Sequence, residues 1–254
     1  MPTKTDTWPV YLTDMAVATC LLTRLPVPTL PSKAFERSAA ASWAFPVVGL
    51  LVGAIGAATG FLALKADLPA TVAAGLVLAV FMIVTGAMHE DGLADTADGF
   101  WGGGSRERRL DIMKDSQIGT YGTLSLLIVV GLRWTAYAMI LPVALPTVIA
   151  VAAASRATLP GMMHALPNAR ENGLSHNIGQ PAFSSAIFAL ALGLGLGVLS
   201  GGYVAIAVFA ASCCAAVATA WVARRKIGGQ TGDVLGAAQQ LAECAGLLTL
   251  LAVI

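Results

Sequence analysis

The segment Phe45–Leu64 runs for 20 residues without a charge, and Pro69–Met88 does the same. A helix of about 20 apolar residues rises roughly 30 Å, the thickness of a bilayer's hydrocarbon core. A water-facing helix of that length carries a polar stripe, and these two carry none. Five further stretches read as spans: Ile118–Leu141 with Arg133 inside it, Thr147–Met163 with Arg156 inside it, Ala182–Ser200, Tyr203–Ala223, and Val234–Ile254 with Glu243. The segment Trp8–Leu22 is apolar but holds Asp14, so it either spans or lies in the interface. Only 11% of the chain is charged, against about 25% in soluble domains. The expectation is an all-α, polytopic integral membrane bundle of seven helices plus an uncertain N-terminal one. It forms a single membrane-embedded domain over residues 1–254, without internal repeats.

The basic residues orient this bundle. If the polar stretch His89–Gln117 is cytoplasmic, alternation places Thr23–Ser42, His164–Gln180 and Arg224–Asp233 on the same side. Those four segments hold eleven of the fifteen Lys and Arg residues, the bias expected of a cytoplasmic face. A net charge of +1 gives no field for nucleic acid. Cys20, Cys213, Cys214 and Cys244 have no metal or redox spacing and read as small apolar-environment residues. Near Lys4, Asp6 and Asp14 break any leader pattern, so the whole chain is expected to be the mature protein.

Seven of the fourteen acidic residues fall between Glu90 and Asp115. Asp91, Asp95 and Asp98 are spaced i, i+4, i+7, which on a helix stacks three carboxylates on one face. Such stacked charges repel unless a cation sits among them, and oxygen-only ligands suit Mg²⁺ or Mn²⁺ shared with substrate phosphates. The plain alternative is a solvated acidic helix end; against it, no basic residue follows until Arg106.

Arg106–Ser116 reads as an amphipathic interfacial helix with internal ion pairs. Asp115 at its end opens Asp-Ser-Gln-Ile-Gly-Thr-Tyr-Gly, polar backbone able to meet an anion or a metal. The loop Gly228-Gly-Gln-Thr-Gly-Asp233 could cradle phosphate, or simply turn between two helices. Intramembrane Arg133 and Arg156 should face the bundle interior. Arg156 lies within reach of a phosphate at the cytoplasmic end, and Arg133 either snorkels or pairs with Glu243. His89 adjoins the acidic cluster as a substrate contact rather than a ligand of a hard ion.

These segments resemble the cobalamin synthase (adenosylcobinamide-GDP ribazoletransferase) family. The resemblance rests on Thr23-Arg-Leu-Pro-Val-Pro28, His89-Glu-Asp-Gly-Leu-Ala-Asp-Thr-Ala-Asp-Gly99, Met113-Lys-Asp-Ser-Gln-Ile-Gly-Thr-Tyr-Gly122, Ser155-Arg156 and Gly228-Gly-Gln-Thr-Gly-Asp233, in the family's order. Departures are Glu90, where an apolar residue is common, and Gln117, where Arg is common and one possible phosphate contact is lost. The resemblance implies Mg²⁺-dependent attack of α-ribazole, or its 5′-phosphate, on the diphosphate of adenosylcobinamide-GDP, with GMP leaving. It implies metal binding by Asp91, Asp95 and Asp98, and catalytic roles for these and Asp115, with Asp98 or Asp115 as proton acceptor. Substrate contacts are implied for Arg24, His89, Glu90, Lys114, Ser116, Arg156, Gly229, Gln230, Thr231 and Asp233. The setting is a bacterial inner membrane with the site facing the cytoplasm. No nucleic acid is expected as partner, and a homo-oligomer or a complex with other corrinoid-assembly enzymes stays open.

Two rivals share the motif chemistry. The spacing loosely resembles CDP-alcohol phosphotransferases, but Asp95 follows Ala94 where those enzymes have Arg. A cation transporter could also line its path with carboxylates.

Overall fold

A computed structural model describes residues 8–254; Lys4 and Asp6, on which the leader reading drew, lie outside the described residues. Helix α1 (Val10–Leu22) leads through the one-turn helices α2 (Ser32–Phe35) and α3 (Ser38–Ala41) into α4 (Phe45–Lys65). Then follow α5 (Ala70–Thr85), α6 (Met88–Gly102), α7 (Arg106–Ile112), α8 (Thr120–Ala144) and α9 (Thr147–Ala165). The chain closes with α10 (Leu174–Ile178), α11 (Phe183–Gly201), α12 (Val204–Ile227) and α13 (Gly232–Val253). The described residues form no strand; a single bridge joins Asn168 and Gln230.

Among the described residues, 5 helical stretches are long and apolar enough to cross a membrane: Ser38–Lys65, Thr120–Ala144, Phe183–Gly201, Val204–Ile227 and Gly232–Val253. The pair α5 and α6 makes a sixth if counted as one broken span. The difference from the seven read in the sequence has two causes. Helix α9 is long enough but less apolar, because it is the central helix: 15 of its 19 residues are buried against α4, α11, α12 and α13. Small and polar side chains are tolerated there because they face protein instead of lipid. Helix α5 stops after 16 residues, too short for about 30 Å of hydrocarbon.

Helix α1, with 13 residues, is likewise short of a span. Its Asp14 is buried yet satisfied: the Arg37 guanidinium donates to both carboxylate oxygens at 3.0 and 3.1 Å, and Trp43 Nε1 donates at 3.1 Å. Helix α8 continues through Pro142 to Ala144, beyond Leu141 where the sequence places the end of the span. The four cysteines are free thiols.

The turn between α5 and α6 positions the site. Gly86 and Ala87 both take left-handed backbone angles, φ 66° and 55°, and the two helices meet at 88°. Glycine adopts this conformation freely; alanine does so at a cost of order 1 kcal/mol. A side chain at 86 would also strike Arg24, whose Nε would stand 2.7 Å from a Cβ. The sharp bend sends α6 back between α8 and α13, so ten of its fifteen residues are buried. The first part of the polar stretch after Pro69–Met88, up to Gly102, is therefore helix packed within the bundle and not a loop outside it. Of its charges, Glu90 and Asp98 are buried against other helices, whereas Asp91 stays exposed.

Under α6 lies a buried polar network. Arg133, about 20 Å along α8 from its first residue at 1.5 Å per residue, donates to Glu243 at 2.7 Å and to Glu90 at 3.1 Å. Tyr137 donates to Glu243 at 2.9 Å, Gln239 donates to its other oxygen at 2.7 Å, and Arg156 stands 3.8 Å from it. Two arginines and two glutamates thus neutralise one another inside the bundle, the arrangement that makes intramembrane charge tolerable.

Candidate active site

The face of α6 opposite its apolar side carries the carboxylates, as the 3.6-residue period requires. Asp91 is exposed and Asp95 half-buried. Neither makes a hydrogen bond or ion pair among the described residues. The charges of Asp91, Asp233 and Asp98 all repel that of Asp95, with Arg170 opposing them.

Asp98 differs. It is buried, and its two oxygens accept the backbone N–H groups of Gly119 at 2.7 Å and Gly122 at 2.9 Å. These are donors at the start of α8 that the helix itself leaves unpaired. A carboxylate there also meets the positive end of the helix dipole. The i, i+7 spacing put Asp98 on the acidic face; the approach of α8 engages it elsewhere. Among the described residues, no three His, Cys, Asp or Glu side chains converge to hold a metal by themselves.

Two cavities flank the carboxylate pair. One, of about 540 Å³, is lined by Ala87, Asp91, Asp95, Lys114, Asp115 and Ser116, among others. Asp115 accepts the Gln117 N–H through Oδ1 at 3.1 Å. The other, of about 270 Å³, lies between Asp91, Asp233 and the polar loop 168–176. Asp91 is the acidic residue common to both.

The Gly-rich loop before α13 meets the 168–176 loop. Gln230 is buried and donates to Asn168 at 2.6 Å, while Ser175 donates to Gln230 at the same distance. The backbone N–H of Gln230 donates to the Pro167 carbonyl, and that of Ala169 to the Gln230 carbonyl. Thr231 caps α13, its hydroxyl accepting the Val234 N–H at 3.3 Å. Gly229 packs against the Pro167 carbonyl. Hence Gly229, Gln230 and Thr231 shape the wall, while Asp233 faces the cavity, held by Arg170 at 3.2 Å and the Thr231 hydroxyl at 3.2 Å.

Other sequence-derived candidates sit away from the carboxylate pair. Arg156 is buried beside Glu243 and donates to the Ala152 carbonyl at 3.1 Å; that buried carboxylate draws it inward, away from any phosphate at the surface. Glu90 borders the larger cavity, but its Oε1 is bound by Arg133 and Gln240. His89 is buried and faces an apolar chamber behind α6. Arg24 is exposed, packs over Gly86, and its N–H donates to the Val84 carbonyl at 2.7 Å.

Several cations near the site donate to backbone carbonyls, most of them at helix ends, with Ala169 in the loop after α9 the exception. Arg106 donates to the carbonyls of Ile227 and Ala169, Arg109 to those of Gly103 and Lys226, and Lys226 to that of Phe100. Carbonyls at helix C-termini are unpaired and carry partial negative charge, which explains the choice. Arg170, which also donates to the Leu110 carbonyl at 3.1 Å, is the site residue that motif reading missed. Its only local signal was a lone basic residue in the same-side segment 164–180.

A profile of the cobalamin-5-phosphate synthase family matches residues 14–251 of the chain. The chain is similar to a Bradyrhizobium diazoefficiens protein named adenosylcobinamide-GDP ribazoletransferase, 43% identical over 96% of this chain and 95% of that one. It is similar to proteins of the same name from Mesorhizobium japonicum, 44% identical over 93% and 92% of the two chains, and from a Sinorhizobium species, 40% identical over 93% and 95%. No solved structure matches it. With a family profile covering nearly its whole length and relatives above 40% identity, the chain belongs to the cobalamin-5-phosphate synthase family.

Proposed function

We propose that this enzyme transfers α-ribazole, or its 5′-phosphate, onto adenosylcobinamide-GDP, releasing GMP and forming adenosylcobalamin or its 5′-phosphate. Its relatives' names supply the two substrates. The observation that carries the reading to this chain is the Asp91–Asp95 pair, without a hydrogen bond or ion pair among the described residues, with both carboxylates on the larger polar cavity and Asp91 bordering the second as well. Two substrates that must meet at one phosphorus suit two cavities with a shared wall.

The pair fits a hard divalent ion. Mg²⁺ commonly takes one or two protein carboxylates and completes its shell with water and substrate phosphate. Asp91 and Asp95 would hold Mg²⁺ or Mn²⁺, which supplies neutralisation of the diphosphate charge. Lys114 and Ser116 line the cavity suited to the nucleotide diphosphate, where a cation and a hydroxyl orient phosphate oxygens. The family's product name leaves a phosphate on the 5′ oxygen, so the nucleophile is a ring hydroxyl of the ribose. That oxygen bonds to the phosphorus on the cobinamide side, the bond to the bridging oxygen breaks, and GMP departs with the electron pair. Asp233, one oxygen held by Arg170 and Thr231, takes the hydroxyl proton through its other oxygen. Asp98 acts indirectly by fixing the start of α8. The Lys and Arg bias of the same-side segments supports a site facing the cytoplasm from a bacterial inner membrane.

The test is GMP release by detergent-purified protein given both substrates with Mg²⁺ or EDTA, beside Asp95→Ala. Mg²⁺-dependent GMP and corrinoid product, absent in a folded Asp95→Ala variant, support the reading. No turnover by folded wild-type protein sinks it, and CDP-alcohol donors become the next substrates to try.

A further inference from the structure

The basic run Arg224-Arg225-Lys226 closes α12 at the end of the bundle that carries the carboxylates. Lys226 donates to the Phe100 carbonyl, and the Arg225 guanidinium lies 5.2 Å over the Trp221 ring. Arg224 is exposed, and its guanidinium has no hydrogen bond or ion pair among the described residues. It stands at one end of an apolar groove of about 420 Å³ between α9, α11 and α12. Gly161 and Met162 of α9 and Leu190 of α11 line the groove opposite α12, and Val217 and Trp221 are exposed along it. From Cys213 to Arg224 the groove follows α12 for about 16 Å at 1.5 Å per residue. That is close to half of a hydrocarbon core about 30 Å thick, the depth of one leaflet.

We infer that this groove binds an anionic phospholipid, one acyl chain lying along α12 and the phosphate diester meeting Arg224. The acyl chain follows from the walls. Two of the three helices are membrane spans, and the lining is apolar apart from Arg224 and Thr158, whose hydroxyl already donates to the Ser155 carbonyl. The phosphate follows from charge. Helices α9, α11 and α12 contain no Asp or Glu, so no acidic residue on the groove's own walls neutralises Arg224. A planar guanidinium takes two phosphate oxygens at once. Trp221, one turn inside Arg224, stands where the apolar groove gives way to the basic run, the interfacial level that tryptophan favours. A zwitterionic headgroup would bring its ammonium against Arg225 and Lys226. A second copy of the chain would have to bring a carboxylate to Arg224. The site is independent of the transferase reading, because it rests on the groove and its arginine alone.

The experiment titrates the detergent-purified full chain with phosphatidylglycerol or phosphatidylcholine of identical acyl chains and counts bound lipid by native mass spectrometry. Wild type is compared with Arg224→Gln, Gly161→Leu and Arg108→Gln, each checked for a monodisperse, cooperatively melting protein. A Cβ at Gly161 would meet only the Leu190 side chain, at 3.9 Å, so a leucine there enters the groove without displacing backbone. Arg108, exposed on α7 and outside the groove, controls for loss of one charge. Wild type is expected to hold its first phosphatidylglycerol about fivefold tighter than phosphatidylcholine, a preference that Arg224→Gln removes and Arg108→Gln keeps. Gly161→Leu weakens binding of both lipids. In parallel, phosphatidylglycerol with a diazirine in its acyl chain is crosslinked to wild type; adducts at Thr158–Ala165 or Cys213–Trp221 support the inference independently of variant folding. Equal affinity of wild type for the two lipids, equal losses in Arg224→Gln and Arg108→Gln, or adducts only elsewhere overturn it. A wild-type dimer that Gly161→Leu splits into monomers gives the groove to a second copy of the chain and overturns it as well.

Discussion

The backbone of Gly92 lies against that of Asp233: a Cβ at position 92 would stand 2.7 Å from the Asp233 carbonyl oxygen and 3.0 Å from its α-carbon. The acidic helix α6 and the first turn of α13 are thereby locked side by side, which places Asp91 beside the Arg170–Asp233 pair. Gly92→Ala is expected to push the helices apart, because the obstacle is backbone. Overpacking of this kind costs about 1–3 kcal/mol. A lower melting temperature in detergent, together with a fall in kcat, is the expected result; an unchanged melt would show that the contact yields.

Asp95 and Asp98 separate chemistry from architecture. Removing Asp95 relieves like-charge repulsion and breaks no hydrogen bond, so Asp95→Ala should melt no lower than wild type while turnover is lost. Asp98→Ala leaves the Gly119 and Gly122 amides unpaired; loss of such a cap costs about 0.5–2 kcal/mol. Melting curves of the two variants side by side test this, and equal destabilisation would refute the distinction.

Glu243 holds Arg133 at 2.7 Å and stands 3.8 Å from Arg156. Glu243→Ala strands buried positive charge and is expected to cost about 3–5 kcal/mol. Replacing the pair together, Arg133→Met with Glu243→Leu, should recover much of that loss. A double-mutant cycle on unfolding in mixed micelles measures the coupling, and additive single effects would argue against a coupled network.

Chelation should abolish GMP release and Mg²⁺ should restore it, with Mn²⁺ as a substitute. Removing one of two carboxylate ligands raises the metal concentration needed, so Asp91→Asn is expected to shift the Mg²⁺ activation curve upward by about tenfold or more, whereas Lys114→Ala raises KM for adenosylcobinamide-GDP and leaves that curve in place. Coincident Mg²⁺ curves for wild type and Asp91→Asn would remove Asp91 from the metal site.

The bend at Gly86 and Ala87 offers a further check. Ala87 holds φ 55°, so Ala87→Gly relieves strain of about 1 kcal/mol, partly offset by a more flexible unfolded chain. Ala87→Val, β-branched in a left-handed conformation, is expected to lower both melting temperature and kcat.

Local pattern determined a good deal by itself. Charge-free runs of bilayer length demand a helical membrane protein, because hydrocarbon leaves backbone groups no partner but their own helix. The i, i+4, i+7 carboxylates of α6 had to share one face, and the family motifs lie in order along nearly the whole chain. Tertiary structure decided what those residues do. Asp98 was removed from the free carboxylates by the arriving start of α8, and Arg106, Arg109 and Lys226 were claimed by helix-end carbonyls. Arg156 was drawn toward Glu243, Arg170 was brought to Asp233, and α9 was made the core instead of a lipid-facing span. The physical reason is the range of each signal. Helical periodicity and hydropathy are fixed by neighbours within a few residues, whereas a hydrogen-bond partner or an enclosed cavity comes from segments tens to more than a hundred residues away, and exists only once the helices pack.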